Sequence, residues 1–227
     1  MSAIKVLIVD DETDILDLLE YKLKQNNFEV YRATNGLEAI EVAKKVNPKV
    51  ILLDVMMPKM DGIETCRQLR EIPEFRRTHI LFLTARTEEF SELAGFEAGA
   101  DDYVQKPIRL SALIKRINAI LRRDSEIDAE KPKVIKIRDL EINRETFLVT
   151  KDDGSTITLA KKEFELLYFL ASKPGKVFSR NVLLENVWGT DVLVVDRTVD
   201  VHIRKLREKV GEDYIATVKG VGYKFDA

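Results

Sequence analysis

Five polar residues follow short apolar runs in the first half of this 227-residue chain, and their types suit one kind of chemistry. They are Asp10, Asp11, Asp54, Thr84 and Lys106. Three carboxylates that lie close together repel one another unless some are protonated or a cation joins them. Oxygen ligands without His or Cys favour a hard ion such as Mg²⁺, which accepts a phosphoryl oxygen as a further ligand. Asp54 would then be a nucleophile that forms an acyl phosphate, with the lysine and the hydroxyl as donors to its charge.

The elements that must position these residues alternate regularly. Asp54 ends an apolar run over residues 50–53, and Pro58 and Gly62 stop that strand. Four more strands are predicted near residues 5–9, 29–32, 80–83 and 103–104, with helices between them and after them, the last near 110–122. Five strands alternating with five helices predict an α/β fold, a doubly wound parallel sheet. In the flavodoxin-like order 2-1-3-4-5 the first and third strands are neighbours, so the polar strand ends meet in one crevice.

Each of these residues also has a plain structural alternative. Asp10 and Asp11 could cap the first helix, and Thr84 could cap the fourth. Asp54 could cap a turn after a buried strand, and Tyr103 could be a half-buried aromatic at the sheet edge. Taken together, these alternatives require several independent coincidences, so we favour the shared site.

Composition bounds the class of protein. With 45% hydrophobic and 33% charged residues, the chain is typical of globular proteins. It has no apolar run of the roughly 20 residues that a membrane helix needs and no signal-peptide pattern, so we expect a cytoplasmic protein. The single cysteine, Cys66, falls on an apolar helix position and is expected in a core. The net charge of −2 divides into −1 over residues 1–123, −4 over 124–130 and +3 over 131–227, and the basic last part suits a polyanionic partner.

Residues 4–123 resemble the receiver domain of bacterial response regulators. The resemblance is carried by Asp10-Asp11, Asp54, Thr84-Ala85, Tyr103 and Lys106-Pro107. It implies a CheY-like fold in which Asp54 accepts a phosphoryl group from a phosphohistidine on a sensor histidine kinase. It also implies Mg²⁺ held by Asp10, Asp11, Asp54 and the Met56 main-chain carbonyl. Thr84 and Tyr103 would form the switch pair, and the Lys106–Pro107 bond is often cis in this family.

A change of pattern after residue 123 predicts a second domain. Residues 124–132 are acidic and nearly without apolar side chains, which predicts a flexible linker between domains at 1–123 and 133–227. Short strands are then predicted within 134–142, 146–150 and 156–159. Three helices follow near 161–171, 180–187 (capped by Ser179) and 197–210, before a strand pair over 214–225. This order predicts an α+β winged helix-turn-helix domain.

The last of these helices has two distinct faces. One face is an apolar stripe that we expect to be buried, made of Val199, Ile203, Leu206 and Val210. The opposite face carries Arg197, Val201, Arg204 and Lys205, with Glu208 as its one acid. Cations there could meet phosphates or guanine edges in a DNA major groove, and the valine a thymine methyl. A solvated basic face is the alternative, but Lys219 and Lys224 on the following hairpin favour DNA.

Residues 133–226 resemble the effector domain of the OmpR/PhoB family, through matches at 166–167, 177–180, 184, 187–189, 197–207 and 218–223. The resemblance implies DNA contacts from a recognition helix and a wing, made by Arg197, Thr198, Val201, His202, Arg204, Lys205, Arg207, Thr217 and Lys219. It also implies contact with RNA polymerase through residues 189–195. Lys205 and Lys219 stand where family members often have Arg. Because lysine lacks the bidentate fork, we expect Lys205 to contact phosphate rather than guanine.

The same resemblance implies a homodimer on phosphorylation. The family's receivers pair through their fourth helix, fifth strand and fifth helix by intermolecular salt bridges, and the residues that fit are Asp101, Asp102, Arg116 and Arg123. Three positions depart from the pattern, since Ala112 replaces an acid, Asn118 a base, and Glu92 stands where a base is common. Individual surface pairs contribute little, so we still expect the dimer, with altered partner choice or affinity.

Together these features predict a response regulator whose phosphorylation at Asp54 favours dimerisation and binding to direct repeats in promoter DNA. One alternative is an aspartate-nucleophile phosphatase of the haloacid dehalogenase type. That class has a second Asp two residues after the nucleophile, where this chain has Met56, so we expect no turnover of a separate substrate. The other alternative is a regulator that binds DNA regardless of phosphate, and it would be favoured if Asp54→Ala left DNA binding unchanged.

Overall fold

A computed structural model describes residues 3–84, 98–130, 132–189 and 197–226, with 123–130 and 197 described by their backbone alone. The chain divides into two compact units, Met1–Arg123 and Asp124–Ala227. Among the described helices, none is both long and apolar enough to cross a membrane.

The first unit is built on a five-stranded parallel sheet in the order β2-β1-β3-β4-β5, which confirms the predicted flavodoxin-like, CheY-like topology. Its strands are β1 (Ile4–Val9), β2 (Phe28–Ala33), β3 (Val50–Asp54), β4 (His79–Thr84) and β5 (Asp102–Gln105). Its helices are α1 (Thr13–Gln25), α2 (Gly36–Val46), α3 (Gly62–Glu71) and α4 (Leu110–Glu130), with a 3₁₀ turn at Pro73–Phe75. The predicted helix between β4 and β5 falls largely on residues 85–97, which lie outside the described residues.

Burial explains why these segments take these forms. The apolar residues of β3 before Asp54 have no exposed surface, as expected for a central strand whose two faces are both covered. In α1 the leucines at helical spacing, Leu16, Leu19 and Leu23, are the buried residues. Cys66 is fully buried in α3, which confirms its predicted place in the core. The parallel strands β3 and β4 therefore end at the same edge of the sheet in Asp54 and Thr84, and Asp10 follows β1 there.

Helix α4 runs through the segment predicted to be a linker. The acidic segment was expected to be a flexible tether, yet the helix continues through it to Glu130. Residues 124–130 contain no Gly or Pro, so nothing in the segment breaks a helix.

The second unit opens with a four-stranded antiparallel sheet in the order β6-β7-β8-β9. Its strands are β6 (Val134–Ile137), β7 (Leu140–Asn143), β8 (Leu148–Lys151) and β9 (Thr156–Ile157). The helices are α5 (Lys161–Ala171), α6 (Arg180–Val187) and α7 (Arg197–Val210). A small sheet follows in the order β10-β12-β11, from β10 (Phe178–Ser179), β11 (Ile215–Val218) and β12 (Gly222–Phe225). This is the predicted winged helix, and the sequence analysis did not predict the two-residue strand β10 or the 3₁₀ turn at Glu212–Tyr214.

Candidate functional site

Three carboxylates meet where β1 and β3 end. The two strands are parallel neighbours, with Val9 opposite Leu53, so Asp10 and Asp54 emerge side by side. Ligand oxygens of Asp10, Asp11 and Asp54 all lie within 4.8 Å of one another. Asp10 and Asp54 are buried, whereas Asp11 is exposed. The structure thus brings the predicted acidic set together at one edge of the sheet.

Lys106 is the cation at the centre of this cluster. Its Nζ lies 2.8 Å from Asp10 Oδ2 and 2.8 Å from Asp54 Oδ1. The lysine follows β5, and its main-chain N–H donates to the Thr84 carbonyl at 2.7 Å, which links the ends of β4 and β5. The Lys106–Pro107 bond is cis, as the resemblance implied. The ammonium therefore joins the two buried carboxylates and offsets part of their repulsion.

Burial and charge act in opposite directions on these groups. Burial raises the pKa of Asp54, and the hydrogen bond and charge of Lys106 offset this only in part. Burial alone would lower the pKa of Lys106, but its hydrogen bonds to Asp10 and Asp54 raise it overall. The lysine therefore stays protonated beside a carboxylate that is poorly solvated. A poorly solvated anion with a fixed cation next to it is suited to act as a nucleophile whose product gains further negative charge.

The loop after β3 fixes the Asp54 carboxylate. The Met56 N–H donates to Asp54 Oδ2 at 2.9 Å, so the turn-capping role considered above is also present. Gly62 begins α3 so close to this loop that a Cβ there would lie 2.1 Å from the Asp54 main-chain oxygen. Only glycine allows that approach without moving the loop. Oδ1 consequently faces Lys106 while Oδ2 is held by the backbone.

Thr84 and Tyr103 lie on the adjacent strands. Thr84 ends β4 and is 4% exposed. Tyr103 is in β5, opposite Phe82, and the two ring centroids are 5.4 Å apart. The tyrosine ring is largely buried, which places it in the inward position that the resemblance assigns to one state of the switch.

The donor set at this edge fits Mg²⁺. Three carboxylates supply hard oxygen ligands, and neither His nor Cys belongs to the group. Because Asp11 is exposed, the site is open on one side to the water ligands that Mg²⁺ usually keeps. A cation here would compete with Lys106 for oxygens of Asp10 and Asp54.

Asp101 does not have the role predicted for it. It is 1% exposed, and its Oδ2 accepts hydrogen bonds from Arg70 Nη2 at 2.8 Å and from the Ile80 N–H at 2.7 Å. Nε and Nη1 of the Arg70 guanidinium donate to the main-chain oxygens of Phe75, Thr78 and Gly99. The predicted intermolecular salt bridge of Asp101 is therefore corrected, because a buried carboxylate is paired within its own domain. Sequence reasoning missed Arg70, which stands on α3 without a nearby motif.

Asp102 and Arg116, two more residues of the predicted dimer interface, are paired with each other. Asp102 is 2% exposed, and its Oδ2 lies 3.3 Å from Arg116 Nε. The arginine side chain is itself only 12% exposed. Within one chain, these two residues thus form an ion pair between β5 and α4. The side chain of Arg123, the fourth residue in that prediction, lies outside the described residues.

In the second unit, α7 has the two faces that the sequence predicted. The apolar stripe Val199, Ile203, Leu206 and Val210 is at most 1% exposed, which confirms it as the buried face. Arg204 is exposed, and Val201 and Lys205 are half-buried, on the other side. Thr217 and Lys219 are exposed on the hairpin of β11 and β12, and Arg197 is described by its backbone alone. A helix face and a hairpin tip therefore present cations in the same unit.

Two residues of the predicted DNA-contacting set, Thr198 and His202, face inward. Thr198 and His202 are each 1% exposed, and His202 Nδ1 lies 2.8 Å from the Thr198 carbonyl oxygen. The His202 ring packs edge-on against Trp188, with centroids 4.9 Å apart. The expectation that these two side chains reach DNA is corrected, because both lie in the core beneath α7. Arg207 is half-buried and donates to the Ile215 carbonyl oxygen of β11.

Sequence reasoning also missed a group of polar contacts between α7 and its neighbours. Asp200 accepts hydrogen bonds from Arg180 of α6 and from the Tyr223 hydroxyl of β12. One signal was present, since Asp200 is an acid in a helix whose outer face is basic. Its partners could not be found from spacing because they are 20 and 23 residues away. The segment implied to contact RNA polymerase lies, apart from Gly189, outside the described residues.

Comparisons with known proteins match both units. A family model described as the response regulator receiver domain matches residues 6–118, and one described as transcriptional regulatory protein, C terminal, matches residues 154–225. The transcriptional regulatory protein ResD of Bacillus subtilis is 44% identical over 233 residues, covering 98% of this chain and 95% of ResD. The transcriptional regulatory protein SrrA of Staphylococcus aureus is 42% identical with the same coverage.

Solved structures agree with these matches. A mutant of RitR has a TM-score of 0.82 at 29% identity and covers 99% of both chains. The response regulator DrrB, a Thermotoga maritima OmpR/PhoB homologue, has a TM-score of 0.50 at 37% identity, covering 99% of this chain and 100% of that one. The similarity therefore extends over both units and not over a single domain.

Proposed function

Because the chain belongs to the OmpR/PhoB family of two-component response regulators, we propose that a sensor histidine kinase phosphorylates Asp54 and that this modification controls binding to promoter DNA. The family makes the chain a transcription regulator with a receiver domain and a DNA-binding domain. The observation that supports the proposal most strongly is the pair of ion pairs that Lys106 makes with Asp10 and Asp54, with Lys106 Nζ 2.8 Å from an oxygen of each carboxylate.

The proposed transfer uses groups that are already in place. An oxygen of Asp54 attacks the phosphorus of a phosphohistidine, the new O–P bond forms as the P–N bond breaks, and the imidazole leaves with the bonding electrons. Lys106 Nζ, 2.8 Å from Asp54 Oδ1, lies where it can follow the charge onto the transferred group. Thr84, at the end of the neighbouring strand, would donate its hydroxyl to a phosphoryl oxygen.

A divalent cation would assist from the acidic side of the crevice. Asp10, Asp11, Asp54 and the Met56 main-chain carbonyl would hold Mg²⁺, which would supply positive charge to the phosphoryl oxygens. Asp10 and Asp54 are held in the buried part of the cluster by Lys106, so their positions are set before an ion binds. Asp11, which is exposed, is the ligand most open to exchange with solvent.

The output step is a shift of populations. Phosphorylation would favour a receiver conformation, with Thr84 and Tyr103 as the switch pair, that forms a homodimer. Two DNA-binding domains would then engage direct repeats together, and each would raise the effective concentration of the other. On the DNA, α7 would present Val201, Arg204 and Lys205 to the major groove, and the hairpin would place Lys219 against the backbone or minor groove. RNA polymerase would be the partner of the bound regulator.

The chemistry can be tested on the full chain with a small acyl phosphate donor and Mg²⁺. Intact mass should show one added phosphoryl group in the wild type and none in Asp54→Ala, and light scattering should show dimer formation in the wild type alone. Asp17→Ala is the matched control, since Asp17 is an exposed acid of α1 that pairs with Arg32. Modification of Asp54→Ala to the wild-type extent would contradict the assignment of Asp54.

A further inference from the structure

An acid on α7 accepts one hydrogen bond from α6 and one from the wing, which is the hairpin of β11 and β12. Asp200 lies in the first turn of α7 with its side chain 43% exposed. Its Oδ1 accepts from Arg180 Nε at 2.7 Å and from the Tyr223 hydroxyl at 2.7 Å. Arg180 Nη2 donates to the same hydroxyl oxygen at 3.1 Å. The three side chains therefore form a closed triangle that joins α6, α7 and β12.

A second attachment lies two helical turns further along α7. Arg207 is seven residues after Asp200, which puts both side chains on the same side of the helix. Its Nε and Nη2 donate to the Ile215 carbonyl oxygen at 3.0 and 2.7 Å, and Nη2 also donates to Thr217 Oγ1 at 2.7 Å. Thr217 is the cross-strand partner of Tyr223. Each strand of the hairpin is thus tied to α7 by its own polar contact.

These contacts surround the ring of Tyr223 and hold it in place. It is 5% exposed, and the guanidinium carbons of Arg180 and Arg207 lie 5.1 and 5.8 Å from its centroid. Tyr223 is also paired with Phe178 of β10, so it is the central residue of the small sheet. Moving its hydroxyl would move the strand that leads directly from the wing tip.

The negative charge of Asp200 would weaken DNA binding by this surface if the side chain had no other role. A carboxylate near the phosphate backbone opposes binding, because affinity rises with the number of phosphates that cations neutralise. Glu208, the other acid of α7, is a carboxylate on the same helix with weaker contacts, and it serves as the comparison. Its side chain is 59% exposed, and its nearest ion-pair distance, to Arg204 Nη1, is 3.8 Å. Asp200, by contrast, is committed to two short hydrogen bonds.

We propose that Asp200 is a positioning residue for DNA binding, which through Tyr223 and Arg180 sets the wing relative to α7. This inference rests on the proposed DNA-binding function. It adds that Asp200 holds the wing so that Lys219 of the wing and Arg204 of α7 can contact one DNA duplex at the same time. A wing that is fixed before binding loses less conformational freedom when it docks, and that saving increases affinity.

Whether removal of the Asp200 charge weakens or strengthens DNA binding tests this role. The full chain, treated with a small phosphodonor and Mg²⁺, is titrated onto a duplex selected from a random pool by the wild-type protein. Asp200→Ala should bind about five- to tenfold more weakly, because the loss of the hydrogen bonds outweighs the loss of repulsion. Glu208→Ala, which removes the same charge from the same helix, should bind as tightly as the wild type or more tightly. If Asp200→Ala also binds more tightly, the proposal is overturned.

A double-mutant cycle separates positioning from general damage to the fold. Tyr223→Phe keeps the buried ring and removes only the hydroxyl. In that background Lys219→Ala should weaken binding less than it does in the wild type, because a displaced wing no longer delivers Lys219 to the duplex. Arg204→Ala should cause the same loss in both backgrounds. Additive losses for Lys219→Ala and Tyr223→Phe would overturn the positioning role.

Failure of the proposed function gives a different result from failure of this inference. A wild-type chain that selects no duplex, or whose affinity does not change with phosphorylation, contradicts the proposed function. A wild-type chain that binds its duplex in a phosphorylation-dependent way, together with an additive cycle, contradicts the role of Asp200 alone.

Discussion

Substitution of Asp101 by alanine tests whether this carboxylate is an internal structural group. The Arg70 and Asp101 side chains are 8% and 1% exposed, and their ion pair is 2.8 Å long. Removing one partner of a buried pair leaves an uncompensated charge and costs about 3–5 kcal/mol. The Ile80 N–H also loses its acceptor, which points to the upper part of that range. For a domain of this size the change corresponds to a fall in melting temperature of about 10 °C or more.

Calorimetry of the full chain, together with fluorescence of its single tryptophan, can locate the effect. Trp188 is buried in the second unit, so its fluorescence reports the unfolding of that unit. This transition should stay unchanged, while the transition of the first unit moves to lower temperature. Arg67→Ala is the control, since Arg67 is on the same helix in exposed ion pairs and should change little. If Asp101→Ala melts like the wild type but loses self-association, then Asp101 belongs to an intermolecular surface and the internal assignment is refuted.

Three further predictions concern Asp54, His202 and Arg204. Burial raises the pKa of Asp54 above its ordinary value of 3.8, so its stabilising protonated form is lost as pH rises through the raised pKa. In urea titrations without Mg²⁺, Asp54→Asn should therefore be more stable than the wild type at neutral pH, and this difference should vanish below pH 3.8. An Asp54→Asn variant that is less stable than the wild type at neutral pH would contradict the prediction. His202→Ala should lower the unfolding free energy by about 2 kcal/mol because the ring is fully buried. Arg204→Ala should leave that free energy unchanged and weaken DNA binding by about 1–3 kcal/mol, and the reverse pattern would return His202 to the DNA-contacting face.

The parallel sheet and the phosphoacceptor crevice were predictable from the sequence because local signals and topology agree. The apolar run before Asp54 and the turn residues after it define a central strand. The order of a doubly wound sheet then brings Asp10 beside Asp54, and the structure places them so. The stripe from Val199 to Val210 was predictable in the same way, since helical periodicity alone fixes which residues of α7 are buried.

What could not be predicted depended on contacts between distant elements. Asp101 and His202 have polar side chains that suggest a surface, but partners far along the chain bury them. The charge of the acidic segment before Pro132 predicts a linker, whereas helix formation depends on the absence of Gly and Pro and not on charge alone. The contacts of Asp200 arise only when α6, α7 and β12 are packed together.

DNA affinity with and without phosphodonor most directly tests whether the acidic crevice controls the basic helix. Fluorescence anisotropy on a duplex selected by the wild type should show tighter binding when donor and Mg²⁺ are present. With Asp54→Ala the affinity should be the same with and without donor, and equal to that of the untreated wild type. Equal affinities for treated and untreated wild type, matched by Asp54→Ala, would show that DNA binding is independent of the site and contradict the account.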